Sequence, residues 1–75
     1  MKIMFINNEG SGFADYIDVT EGKTVAQLFV EQMIGHKPEN FMIRVNRQVA
    51  TRDQVLVEGD RVSITPVKIH GAIAA

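Results

Sequence analysis

Few side chains in this sequence have types and spacings that could do chemistry. Arg44, Arg47 and Arg52 gather around one apparent strand and its turn. They could pair with acidic or phosphate groups on a partner, or simply form a solvated polar face. His36 and His70 lie in unrelated contexts and lack the spacing of metal ligands. Asp60 follows Gly59 and reads as a turn residue held by its own side chain. No Ser-His-Asp or paired-carboxylate arrangement is visible, so the chain is not expected to be an enzyme. There are 0 cysteines, which excludes disulfides, thiolate metal sites and thiol nucleophiles. The remaining chemical question lies in "VKIHGAIAA", Val67 to Ala75, which follows an apparent strand. A segment of mostly small or apolar residues there could be a reactive arm, a precursor end or a relic.

The elements that must position these residues belong to one small domain. The chain has 75 residues, 45% of them hydrophobic and 23% charged, which is ordinary for a soluble globular protein. A domain of this size buries only about 60% of the surface of its unfolded chain. Its single core supports a stability of roughly 3–5 kcal/mol. The 8 Lys+Arg and 9 Asp+Glu give a net charge of -1 with the signs mixed, which argues against nucleic acid as a partner. "MKIMFINNEG" lacks the features of a signal peptide, and no apolar run approaches the ~18 residues of a membrane span. The expectation is a soluble cytoplasmic protein with no membrane partner, no metal and no cofactor of its own.

Met1 to Asn7 is apolar on both faces and suits an interior strand. "NNEGSG" is a dense turn signal, and Phe13 to Val19 alternates as a second strand, completing a hairpin. The period then changes. Thr24 and Gln27 form a capping box, Val25, Leu28, Phe29 and Met33 recur at helical spacing, and Gly35 sits where a C′ residue belongs. A helix from about Val25 to Met33 is predicted. Phe41 to Asn46 reads as a third strand, Asn46-Arg47 as a tight turn and "QVA" as a brief return. "TRDQVLVEGD" reads as loop with at most one helical turn. Arg61 to Val67 is the last strand, with Pro66 at a sheet edge or at the strand's end. The predicted core is Ile3, Phe5, Ile17, Val19, Val25, Leu28, Phe29, Ile43, Val45, Leu56, Val62 and Ile64. Met1, Met4, Met33 and Met42 are expected to fill gaps in it.

The order β-β-α-β-β-β describes an α+β fold in which one main helix packs across a mixed sheet. That is the β-grasp, or ubiquitin-like, arrangement. Within it, "TVAQLF", the strand ending in Val45-Asn46, Leu56, Gly59-Asp60 and "VSITP" from Val62 to Pro66 resemble the ThiS/MoaD sulfur-carrier family. The resemblance implies a β-grasp domain over residues 1–67, with first and last strands parallel neighbours; residues 68–75 carry no turn signal or periodic pattern that would bury them, which predicts a flexible tail. In that family a C-terminal Gly-Gly is adenylated by a ubiquitin-activating-type enzyme, which binds the ATP. It is then converted to a thiocarboxylate that donates sulfur to an accepting synthase. Here Gly71 matches the penultimate glycine, Ala72 stands in place of the terminal one, and Ile73-Ala74-Ala75 follow.

Gly71 and Ala72 are therefore the candidate modification site on the arm. Val67 and Ile69 at its apolar root, with Arg44 and Arg47, are the candidates for partner contact. Three functions stay open. The chain is a sulfur-carrier-like protein, trimmed to Gly71 or acting through Gly71-Ala72; a β-grasp binding module without conjugation; or, against its balanced charge, an RNA- or ribosome-associated domain.

Overall fold

The computed structural model describes residues 1–10 and 12–67. Ile69, Gly71, Ala72 and the expected flexible tail lie outside the described residues. Strands β1 (Lys2–Asn7) and β2 (Phe13–Asp18) form the predicted antiparallel hairpin, with Ile3 opposite Ile17 and Phe5 opposite Asp15. Helix α1 spans Val25–Gln32. A short 3₁₀ turn at Pro38–Asn40, not foreseen, leads into β3 (Phe41–Val45). The two-residue β4 (Gln48–Val49) and β5 (Arg61–Pro66) complete a sheet of order β2-β1-β5-β3-β4. β5 runs parallel to β1, with Phe5 opposite Val62, and antiparallel to β3, with Ile43 opposite Ile64. The last strand thus lies in the middle of the sheet, and the parallel pairing matches the expectation.

The helix forms where the sequence period changes, and both halves of its capping box are present. The Gln27 amide donates to Thr24 Oγ1 at 3.2 Å, and the Thr24 amide donates to Gln27 Oε1 at 2.9 Å. Two further amides of the first turn find carbonyls on the 51–56 loop: Val25 N–H donates to Gln54 O at 2.9 Å and Ala26 N–H to Arg52 O at 3.0 Å. This lacing satisfies the unpaired N–H groups that every helix start leaves exposed. The loop itself folds through a turn closed by the Gln54 amide on Thr51 O at 3.3 Å, and no helix forms within 51–60. Gly35 does take a left-handed conformation (φ 86°), but one residue beyond C′, because Met33 is the C-cap.

The helix lays Val25, Leu28, Phe29 and Met33 on the sheet face built by Ile3, Phe5, Val45, Val62 and Ile64, and Leu56 plugs the loop side. Ile17 and Ile43 pack against this core as half-buried residues instead of belonging to it: Ile17 stands on the edge strand β2, and Ile43 on β3, flanked on its outer side only by the two-residue β4. Met33 is core and Met1 packs against it, but Met4 and Met42 are not core filler. Strand alternation turns both to the opposite face, where they are half-buried. Pro66 ends β5, so its missing donor costs the ladder nothing further.

Leu28 is 1% exposed at the centre of the helix–sheet interface. Leu28→Ala should lower the free energy of unfolding in urea by about 2–5 kcal/mol, enough to unfold much of a domain this small. A loss below about half a kcal/mol would show that this face does not carry the fold.

Candidate functional site

The face of the sheet opposite the helix is open. Because Val62 and Ile64 point into the core, alternation sends Arg61, Ser63 and Thr65 to the open face. Arg44 joins them through the register of β3, in which it lies opposite Ser63. Arg47 arrives from the β3–β4 turn. Together these side chains line a shallow depression of about 530 Å³, with Ile6 and Asn8 on its β1 side. Asn8 Nδ2 donates to Thr65 Oγ1 at 3.0 Å, which orders one wall. Half-buried Met4 and Met42 and exposed Tyr16 and Val49 occupy the same face. Among the described residues the carboxylates in contact with basic side chains are Asp18 with Lys2, Glu31 with Lys23 and Glu9 with the His36 imidazole, so none of the three arginines is paired with a carboxylate.

The depression is held by a polar network beneath its rim. Asp60, 6% exposed, accepts from Asn46 Nδ2 at 2.9 Å and from the Val57 amide at 2.9 Å. Asn46 Oδ1 in turn accepts from the Arg61 amide at 3.0 Å, and the Asn46 amide donates to Arg61 O at 2.8 Å. The turn residues Asn46 (φ 54°) and Arg47 (φ 73°) are both left-handed, as a two-residue hairpin of this kind requires. Asparagine tolerates that conformation well, whereas arginine is strained there. Glycine would relieve the strain, yet the chain places a guanidinium at the position.

Of the residues singled out in the sequence, Arg44 and Arg47 are brought together, but Arg52 is not with them. It lies along a separate groove with Pro38, Phe41 and Ile43. Arg61 takes the third place, and the alternation of Arg61, Ser63 and Thr65 against Val62 and Ile64 was the signal for it. Val67 is partly exposed at the root of the tail, where its amide donates to Asn40 O at 2.9 Å. Asp60 does stabilise its turn, and does so from a buried position. His36 pairs with Glu9 at 3.3 Å and meets the Phe41 ring edge-on at 5.4 Å, while His70 lies outside the described residues. Among the described residues there is no group of His and acidic side chains that could hold a metal, and no helix long and apolar enough to cross a membrane.

The model of the ThiS family matches residues 4–67. No curated protein sequence is matched. Among solved structures, a ubiquitin-like protein from the hyperthermophilic archaea Caldiarchaeum subterraneum superposes with a TM-score of 0.68 at 16% identity, over 92% of this chain and 99% of that one. SAMP1 from Haloferax volcanii superposes with a TM-score of 0.71 at 13% identity, over 92% of this chain and 98% of that one. At such identities the likeness shows the fold, which is the ubiquitin-like β-grasp.

Two substitutions separate the scaffold of the depression from its rim. Asp60→Asn puts an amide donor against either Asn46 Nδ2 or the Val57 amide and should cost about 1–3 kcal/mol in urea unfolding. Arg47→Gly removes the strained side chain, partly offset by the freer unfolded chain, and should stabilise by up to about 1 kcal/mol. A destabilised Arg47→Gly would mean that the arginine contributes to folding.

Proposed function

The chain belongs to the ThiS family and is a small ubiquitin-like protein of sulfur-carrier type, not an enzyme; from this we propose that its C-terminal end is activated by a partner adenylating enzyme. The observation that carries the reading is the family match across 4–67, which ends where β5 delivers the chain to the candidate arm. We propose the division into a folded body, residues 1–67, and a flexible arm, 68–75, with Gly71 as the working terminus after trimming. Glycine lacks a Cβ, so it threads a narrow channel and accepts backbone conformations that other residues resist.

The chemistry needs nothing catalytic from this chain. A carboxylate oxygen at the exposed terminus attacks the α-phosphorus of ATP held by the partner, and pyrophosphate leaves. Hydrosulfide from the sulfur source then adds at the acyl carbon and displaces AMP, which leaves a thiocarboxylate for a sulfur-accepting synthase in the biosynthesis of a sulfur-containing cofactor. A cytoplasmic location suits the ATP supply. Fully extended, Lys68 to Gly71 reaches about 13 Å at roughly 3.3 Å per residue. The body must therefore dock close to the partner's ATP site, through its open sheet face and the root of the arm at Val67 and Ile69. Ala72-Ile73-Ala74-Ala75, with a β-branched side chain beyond the glycine, favour a second reading in which the β-grasp body binds partners without conjugation.

The test compares the full chain with a form ending at Gly71, each incubated with the ubiquitin-activating-type enzyme of its own organism, ATP and a sulfur source. Intact mass should show exchange of one oxygen for sulfur in the clipped form only. If neither form reacts while the protein still binds a partner tightly, the carrier reading gives way to the binding module.

A further inference from the structure

The depression on the open face collects three guanidinium groups on a chain whose net charge is -1. Arg44 and Arg61 project from adjacent strands, Arg47 from the turn between β3 and β4, and none is neutralised by a carboxylate among the described residues. Three of the 8 Lys+Arg residues thus line one depression, and among the described residues no carboxylate lines it. Between and beside the arginines, Ser63 and Thr65 offer hydroxyls, and Ile6, Met4 and Met42 offer apolar surface. Arginine set among methionine and aliphatic side chains matches the composition of protein interfaces, where arginine is a frequent anchor. A nucleic-acid site would instead extend a basic surplus along the molecule, and this chain has none.

We propose that this depression is the docking site for an acidic surface of a partner protein, whose Asp or Glu carboxylates pair with Arg44, Arg47 and Arg61. The partner's chemistry follows from the donors. A guanidinium presents a planar fork of N–H groups that a carboxylate meets with two parallel hydrogen bonds, a geometry that lysine does not offer. The occupant's acidic groups would neutralise charges that otherwise repel one another across the depression. The site also stands on β5 upstream of Val67, so a partner seated here holds the strand that leads to the arm. The assignment rests on the reading that the chain works through a partner enzyme, and it specifies what that partner presents.

The experiment measures binding separately from chemistry. Affinity for the organism's ubiquitin-activating-type enzyme is determined by calorimetry without ATP, using the full chain. Arg44→Glu and Arg61→Glu should each weaken binding at least tenfold, and Arg44→Lys should not restore it fully. Arg47→Gly should weaken binding several-fold in a protein no less stable than the parent, which removes misfolding as an explanation. Lys37→Glu, the same charge change away from the depression, should leave affinity within about twofold. Salt of about 1 M, which shortens the screening length to about 3 Å, should weaken the parent complex. Charge-reversed variants that bind like the parent would overturn the site and leave the carrier reading standing.

A second probe makes the two ideas separable. An oligoglutamate peptide and an oligouridylate of equal length are titrated into the full chain and followed by NMR. The peptide should shift the Arg44, Arg47 and Arg61 side-chain signals. Tighter binding of the oligouridylate at those arginines would overturn the proposal in favour of RNA. A peptide that binds there while the enzyme does not bind at all would keep the site and reject the partner-enzyme reading.

Discussion

The buried carboxylate of Asp60 ties together the parts of the molecule that sequence leaves far apart. It receives the side chain of Asn46 from the β3–β4 turn and the amide of Val57 from the loop before β5. One residue on, Arg61 begins the central strand and is held by Asn46 in both directions. A buried carboxylate left without donors would be strongly unfavourable, so each of these contacts depends on the others. The Asp60 carbonyl also accepts from the Met4 amide at 2.9 Å, extending the same knot into β1. The start of β5, the turn that carries Arg47 and the first strand therefore share one set of positions.

That arrangement divides labour between the two faces of one sheet. The helix side is closed by large apolar residues and is committed to stability. The open side uses the same strands with the opposite phase, and there the chain can carry cations, hydroxyls and methionines without disturbing the core. Because side chains alternate along a strand, the face that binds and the face that folds are set by the same register. Placing arginine at a left-handed turn position, where glycine would be relaxed, is a local departure from what stability alone favours.

Much of this was legible in the amino-acid sequence. The capping box at Thr24 and Gln27, the helical recurrence of Val25, Leu28, Phe29 and Met33, and the alternation of Val62 and Ile64 all depend on short-range spacing, which pattern reading captures. What escaped it depends on cross-strand placement. Arg52 is near Arg47 in the chain but belongs to another groove, while Arg61, distant in sequence, stands beside Arg44 because β5 pairs with β3. Met4 and Met42 were misread for a similar reason: hydrophobicity says that a residue prefers burial, not which face of a strand it occupies. The loop at 51–56 is held by amides of a distant helix, and no local signal announces that.

The central place of β5 has a consequence for how the molecule comes into being. The hairpin of β1 and β2 can form early from local contacts, but the strand that joins it to β3 is the last to be made. Residues some fifty-seven positions apart, such as Phe5 and Val62, must meet before the sheet has a middle. Such pairing closes a long loop of chain and slows the search for the native topology. Until β5 pairs, the sheet lacks its middle and the core lacks Val62 and Ile64, so the surface that presents the arginines exists only once that pairing is made.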